Sequence, residues 1–209
     1  MKTLLKRVIL TIATLTSFCG CTEAQLDTKE ASPIKTENVL IVYLSRTNNT
    51  KAVAEIIQQN TGATLIGLEL ETPYPEDHRM TVDQVAKENQ TEFLPPLKTK
   101  IENIEKYDTV FIGFPNWGMQ LPPPHKSFLN EYDLKGKTII PFNTNARYGI
   151  GNGIKTIKRL CLNINVLKKF STVGGIERDG VLFVMEGDKK IKVENQVKKW
   201  LNEVIHSKK

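Results

Sequence analysis

The feature that most constrains this chain is a regular alternation between short apolar runs and longer amphipathic runs, which begins near Asn38. The short runs are rich in β-branched residues and predict strands at 39–44, 64–70, 109–114, 138–142 and 166–173. The longer runs predict helices at 50–60, 81–92, 124–131, 154–162 and 189–206. This alternation predicts an α/β domain with a doubly wound parallel sheet of five strands and helices on both faces. The first and third strands are almost entirely apolar, as central strands must be, and are expected to be neighbours.

The first twenty residues differ from the rest of the chain. Three basic residues within the first seven positions precede an uncharged, mostly apolar run at 8–18. This run is shorter than the roughly 20 apolar residues that a membrane-spanning helix needs, so the segment is interpreted as a secretory signal. Gly20-Cys21 resembles the bacterial lipoprotein cleavage site, at which the cysteine becomes acylated. Plain secretion and an uncleaved anchor are the alternatives.

The sequence therefore divides into three parts. Residues 1–20 are predicted to be a lipoprotein signal peptide, and Cys21 is the predicted lipidation site. Residues 21–37 are polar and show no apolar period, which is typical of a flexible tether. Residues 38–209 are the predicted folded domain. This organisation predicts a lipid-anchored membrane protein of the bacterial cell envelope.

Composition argues against several classes of function. A chain of 209 residues that is 40% hydrophobic can build a core without disulfides, and its three cysteines do not suggest a disulfide framework. His78, His125 and His206 are scattered without cysteine partners at ligand spacing, which argues against a metal site. The net charge of +6 lies largely in lysine pairs, interpreted as solvated helix and strand ends. Attraction to anionic lipid headgroups is the alternative, and no nucleic acid partner is expected.

Ligands of open parallel sheets bind at the carboxyl ends of the strands, so the loops after the first, third and fourth strands are the candidate site. The first loop, SRTNNTK at 45–51, is dense in hydroxyls and amides and runs directly into a helix. Exposed N–H groups at a helix N-terminus suit a phosphate, although an ordinary helix cap is the plainer alternative. The loop lacks the Walker and dinucleotide glycine patterns, and Ser45 lacks the partners of a catalytic triad.

Three loops carry a resemblance to a known family. The sequence YLSRTNNT at 43–50 resembles the FMN-phosphate loop of the flavodoxin-like family, in the branch that reads Ser-Arg-Thr-Gly-Asn-Thr. Asn48 replaces the usual glycine, and asparagine tolerates a left-handed backbone better than other non-glycine residues. The segment PNWGMQLP at 115–122 resembles the family's Pro-x-Trp-Trp-Gly segment. The segment PFNTNARYGIGNG at 141–153 is similar to its Pro-Phe-x-Thr-His loop, with Asn145 in place of the histidine.

The resemblance runs from about Val39 to Leu201 and implies the flavodoxin-like strand order 2-1-3-4-5 with one non-covalently bound FMN. No catalytic residue and no metal ligand are predicted. The residues expected to bind FMN are Ser45, Arg46, Thr47, Asn48, Asn49, Thr50, Pro115, Asn116, Trp117, Gly118, Thr144, Asn145, Ala146, Arg147, Tyr148 and Gly149.

The resulting interpretation is an FMN-binding redox protein that transfers electrons at the cell envelope, as a carrier or as an enzyme. One alternative is an NAD(P)H-dependent FMN oxidoreductase acting on quinones or similar acceptors. Another is a non-redox envelope protein that has lost its flavin. The expected partners are a redox protein or a small-molecule acceptor such as a quinone, and the membrane through the lipid anchor.

Two side chains carry more specific expectations. Trp117 is expected to lie against the flavin, with capping of the core as the alternative. Arg147 is expected to stabilise the reduced ring and raise its potential, with solvent exposure as the alternative.

Overall fold

The computed structural model describes residues 38–206. The predicted signal peptide, the lipidation site at Cys21 and the tether lie outside the described residues.

Six strands and five α-helices alternate along the described chain. The strands are β1 (Val39–Tyr43), β2 (Thr64–Gly67), β3 (Thr109–Pro115), β4 (Thr138–Asn145), β5 (Asn165–Val166) and β6 (Phe170–Val173). The helices are α1 (Asn49–Thr61), α2 (His78–Gln90), α3 (Pro123–Glu131), α4 (Gly153–Leu160) and α5 (Gly187–His206). Two short 3-10 helices cover Ile104–Lys106 and Glu177–Asp179.

All strands of the sheet pair in parallel, in the order β2-β1-β3-β4-β5, and β6 also pairs with β4. The predicted order 2-1-3-4-5 is therefore confirmed. Leu40 lies opposite Thr64 on one side and Val110 on the other, so β1 and β3 are the neighbours that their apolar sequences indicated.

The fifth strand is not the continuous run predicted for 166–173. Ile139 pairs with Val166, whereas Phe142 pairs with Phe170, so one extra residue separates the two pairings. The N–H of Leu167 still donates to the Ile139 carbonyl over 3.0 Å, but the pairing is interrupted before Phe170, as at a bulge, and the strand becomes β5 and β6. Two strand ends also differ from the prediction, since β2 ends at Gly67 and β4 continues to Asn145.

Side chains along the central strands point alternately to the two faces of the sheet, and each face packs into its own hydrophobic core. Leu40 and Val42 face a cluster that includes Phe128 of α3 and Ile157 of α4. Val39 and Ile41 face the other cluster, with helices α1 and α5. Because both faces of β1 are covered, its first four residues are buried and Tyr43 at its end is half-buried, as expected for a central parallel strand.

The helices leave the carboxyl edge of the sheet to the loops that follow β1, β3, β4 and β6. Helix α2 packs against α3 beside this edge. Within residues 38–206, no helix combines the length and the apolar character needed to cross a bilayer.

Candidate functional site

A cavity of about 550 Å³ opens at the carboxyl edge of the sheet. Its volume falls within the range of small-molecule sites. The loops after β1, β3, β4 and β6 line it together with one face of α2. The three loops that the sequence singled out therefore meet at one place.

The structure brings most of the residues expected to bind FMN into the lining of this cavity. These are Ser45, Arg46, Thr47, Asn49, Thr50, Pro115, Asn116, Trp117, Gly118, Thr144, Asn145, Ala146 and Tyr148. Three others, Asn48, Arg147 and Gly149, belong to the same loops but do not line it.

The loop after β1 turns into α1 through a left-handed residue. Asn48 is the N-cap and has a φ of 59°, so asparagine adopts the backbone for which the family uses glycine. Its side chain does not cap the helix, and the first turn of α1 contains no acidic residue. The N–H groups at this helix start are therefore available to an anion.

Two polar atoms in the lining are buried without a hydrogen-bond partner among the described residues. They are Oγ of Ser45, in the loop after β1, and Oδ1 of Asn116, in the loop after β3. A buried polar atom without a partner costs about 1–3 kcal/mol, so such atoms are uncommon unless a ligand or water completes them. Both atoms belong to loops in which the resemblance places FMN-binding residues.

Arg46 differs from the other loop residues because its guanidinium has protein partners. Its Nε donates to Glu177 Oε1 over 2.7 Å, and Nη1 donates to the carbonyl of Pro75 over 2.8 Å. Nη2 donates to the carbonyl of Glu76. The side chain thus joins three loops and commits three of its five N–H donors to the protein.

Asn49 and Thr50 connect the start of α1 to other parts of the edge. Asn49 donates to the carbonyl of Leu182 over 2.6 Å and accepts from the Val184 N–H over 3.1 Å. The hydroxyls of Thr50 and Thr144 lie 2.8 Å apart. These contacts fix the loop after β1 against β4 and against the segment before α5.

The loop after β3 holds Trp117 at the cavity. Its ring meets that of Tyr74 edge to face, with centroids 5.5 Å apart. The Tyr74 hydroxyl donates to Glu88 of α2 over 2.5 Å. Burial, together with this hydrogen bond, holds the pKa of Tyr74 well above its usual value. Trp117 is half-buried, so part of its ring remains available to a ligand.

Asn116, next to Trp117, ties its loop to the loop after β4. Its Nδ2 donates to the carbonyl of Gly149 over 2.6 Å. The N–H of Asn152 donates to the carbonyl of Met119 between the same two loops. Because the Nδ2 group is engaged, the unpartnered Oδ1 is an acceptor held in a fixed position.

Asn145 lines the cavity, and its amide also holds the neighbouring loops together. Its Nδ2 lies within 3.1 Å of Asn143 Oδ1 and Ser171 Oγ, and its Oδ1 accepts from the Gly149 N–H over 3.1 Å. The amide is satisfied by the protein, since the neighbouring β6 supplies partners that the sequence does not reveal.

Arg147, the cation expected beside the flavin ring, is exposed, has a φ of 72° and does not line the cavity. Arg178 lines the cavity together with Arg46. The carboxylate of Asp179 and the Tyr148 side chain raise the pKa of Arg178. Arg178 belongs to the loop after β6, which is far along the chain from the loops that the sequence indicated. The sequence therefore did not predict it.

Sequence reasoning missed two further parts of the lining. One is residues 174–178 after β6, for which Gly174-Gly175 was an available signal. The other is one face of α2, together with Gln120 in the loop after β3. The periodicity of α2 is the same as that of an ordinary core-facing helix, so it gave no signal of a cavity. The missed residues are His78, Thr81, Val82, Val85, Ala86, Asn89, Gln90, Gln120, Gly174, Gly175, Ile176, Glu177 and Arg178.

The described residues contain no cluster of side chains suited to a metal ion. His125 is fully buried and shares a hydrogen bond of 2.9 Å with the carbonyl of Gly113. Burial lowers the pKa of His125 to about 3, so it is neutral and packs against Phe114.

Comparison with known proteins gives a consistent group of relatives. The sequence profile described as Flavodoxin matches residues 38–185. A candidate flavoprotein from Bacteroides eggerthii is 28% identical, with 80% of this chain and 98% of that chain covered and a TM-score of 0.64. A flavoprotein from Lactobacillus acidophilus in complex with FMN is 21% identical, with 65% and 93% covered and a TM-score of 0.58. No curated protein matches the sequence significantly.

Proposed function

This chain belongs to the flavodoxin family, whose profile matches residues 38–185, and on that premise we propose that it binds one FMN non-covalently and transfers electrons at the cell envelope. When bound, FMN supplies a ring that takes up and releases one or two electrons. The chain's own residues hold the phosphate, cover the ring and limit access of water.

The observation that carries this proposal is the pair of buried, unpartnered atoms in the cavity, Ser45 Oγ and Asn116 Oδ1. Ser45 lies beside a helix start whose first turn has neither a side-chain cap nor an acidic residue. A phosphate accepts hydrogen bonds from both the hydroxyl and the helix N–H groups. Asn116 Oδ1 can accept from an N–H of the flavin ring, so the two orphaned atoms match two parts of one ligand.

Two aromatic residues are placed to cover the ring. Trp117 and Tyr148 come from loops that contact each other and both line the cavity. Tyr148 is 63% exposed, which is a large fraction for a tyrosine and is consistent with a ligand-facing ring. The Lactobacillus acidophilus flavoprotein, which shares the fold, holds FMN, and this supports the choice of ligand.

The envelope location rests on the sequence before Asn38. The basic start, the short apolar run and Gly20-Cys21 favour a lipid-anchored protein. We expect Cys21→Ala to accumulate with an unprocessed signal and to take up no fatty acid in metabolic labelling. Equal labelling of the variant and the natural chain would contradict the anchor without affecting the flavin site.

The first test of the function is the visible absorbance of the purified protein. We expect oxidised-flavin bands that bleach on reduction and a released cofactor that behaves as FMN. A colourless protein that does not take up added FMN would favour the non-redox alternative. Oxidation of NADPH by the yellow protein in the presence of a quinone would identify an NAD(P)H-dependent oxidoreductase rather than a carrier.

A further inference from the structure

We propose that the α2 side of the cavity is a binding site for an uncharged quinone, adjoining the flavin site. The α2 side is defined as Thr81, Val82, Val85, Ala86, Asn89 and Gln90. The proposal rests on the proposed function, because the electrons reach the quinone from bound flavin. It adds the class of acceptor and the residues that hold it.

The spacing of the α2 residues is the first observation. With His78, they fall at i, i+3, i+4, i+7, i+8, i+11 and i+12, which is a single face of a helix. A surface helix normally turns such a face onto the core. Here the face borders the cavity, and Val82 is left 49% exposed. Val82, Ala86 and Gln90 are exposed on this face, whereas Thr81 and Val85 are buried, so the exposed three are presented to a ligand.

The chemistry of this face is the second observation. All six side chains of the α2 side are uncharged, whereas the charged lining residues Arg46, Glu177 and Arg178 belong to the loops after β1 and β6. Apolar side chains with a few polar groups are typical of sites for flat organic ligands. A charged acceptor placed against Val82 and Val85 would lose hydration without gaining a partner, so an uncharged molecule is favoured.

Asn89 supplies a hydrogen-bond donor for the acceptor's oxygen. The Lys126 ammonium donates to Oδ1 of Asn89 over 2.7 Å. This contact occupies the acceptor end of the amide and orients its N–H groups away from Lys126. A quinone carbonyl is an acceptor only, so it matches a site whose amide offers donors.

The α2 side is linked structurally to the ring-covering loop. Trp117 packs on Tyr74, and Tyr74 is bonded to Glu88 on the same helix. Gln84 also donates to Glu88 over 2.8 Å. Because these contacts join α2 to Trp117, a ligand on the α2 side lies next to the place proposed for the flavin.

The proposed step is a two-electron reduction. The quinone takes up two electrons and two protons, and both of its carbonyl oxygens become hydroxyls. The reduced flavin gives up the same two electrons and two protons as it returns to its oxidised form, so no further reactant is needed for this step.

The test uses Val82→Glu with Met80→Glu as the matched control. Both residues are exposed and apolar on α2, but only Val82 lines the cavity. In the holoprotein, Val82→Glu should weaken binding of menadione, measured by calorimetry on the oxidised form, by about tenfold or more, because the ligand would then desolvate a carboxylate. The KM for menadione should rise by the same factor. Met80→Glu should change neither value.

Two controls separate this proposal from the flavin site. The FMN dissociation constant and the rate of flavin oxidation by ferricyanide, which needs no such site, should be the same in Val82→Glu as in the natural chain. A weaker FMN affinity in Val82→Glu, or unchanged menadione binding, would overturn the proposal. A change in the KM for NADPH but not for menadione would also overturn it, whereas failure of the natural chain to bind FMN would refute the proposed function itself.

Discussion

The two sides of the cavity differ in how their polar groups are used. On the side formed by the loops after β1 and β6, short hydrogen bonds across long stretches of sequence join Arg46 to Glu177 and Asn49 to Leu182. On the α2 side, the lining residues are mostly apolar or carry amides with few protein partners. The first arrangement builds the shape of a site before a ligand arrives, which lowers the entropic cost of binding. The second leaves side chains that can adjust to the ligand, so we expect this side to determine which acceptor binds.

The largest expected effect follows from crowding the bonded side. In Gly175→Ala, the new Cβ would lie 2.1 Å from the Leu182 carbonyl oxygen and 2.4 Å from that of Val181. Backbone must therefore move, and we expect a loss of about 3 kcal/mol in the free energy of unfolding, measured by urea denaturation, with loss of FMN binding. In the control Gly174→Ala, the nearest atom is the Asn49 Cβ at 3.2 Å, and the loss should be less than half as large. Equal stability of both variants would show that the loop after β6 is not fixed.

Removing the bond between the loops should have the next largest effect. Arg46→Gln leaves Glu177 and the Glu76 carbonyl without their donor, whereas the Pro75 carbonyl keeps its bond from the Thr81 hydroxyl, and we expect the free energy of unfolding to fall by about 2 kcal/mol. Because Arg46 shapes the cavity, the affinities for FMN and riboflavin should weaken by the same factor, about tenfold, in fluorescence titrations. Glu177→Gln should behave in the same way. Selective weakening of FMN would mean that Arg46 holds the phosphate and that the comparison is wrong.

Trp117 lines the cavity and is linked to α2 through Tyr74, so substituting it tests how the two sides meet. We expect Trp117→Ala to weaken FMN binding by about tenfold and to reduce quenching of flavin fluorescence, since a ring contact and buried area are both lost. Trp117→Phe should retain most of the affinity. Unchanged affinity and quenching in Trp117→Ala would assign Trp117 to capping of the core.

The smallest expected effect concerns the charged residues. Arg178 lines the cavity and Arg147 does not, so Arg178→Gln should lower the flavin midpoint potential more than Arg147→Gln. The shift should stay within a few tens of millivolts and decrease with salt, because exposed charges are screened. Potentiometric titration at low and high ionic strength measures it. A larger shift in Arg147→Gln would restore the original expectation for that residue.

The sheet could be predicted from the sequence because parallel strands that are buried on both faces have nearly continuous apolar sequences. Residues 39–44 and 109–114 are such runs, and they are the centre of the sheet. The turn at Asn48 was also predictable, since few residues accept a left-handed backbone. The bulge between β5 and β6 was not, because it depends on the register against β4 and not on residue type.

The loops of the site were predictable, but the partners of their side chains were not. Arg46 and Asn145 belong to the expected loops, yet their bonds reach residues 75–76 and 171–177, which are far away in sequence. The periodicity of α2 was visible, but a face turned to the core and one turned to a cavity have the same spacing. Tertiary contacts decide both points, and a single sequence does not reveal them.

The most direct test of the account is a titration of flavin-free protein with FMN and with riboflavin, followed by flavin fluorescence. We expect one saturable site that quenches the flavin and binds FMN at least about tenfold more tightly than riboflavin, because the helix start and Ser45 hold the phosphate. In Ser45→Ala this preference for FMN should shrink while riboflavin affinity stays the same. Absence of saturable FMN binding, or equal affinity for both flavins in the natural chain, would contradict the central claim.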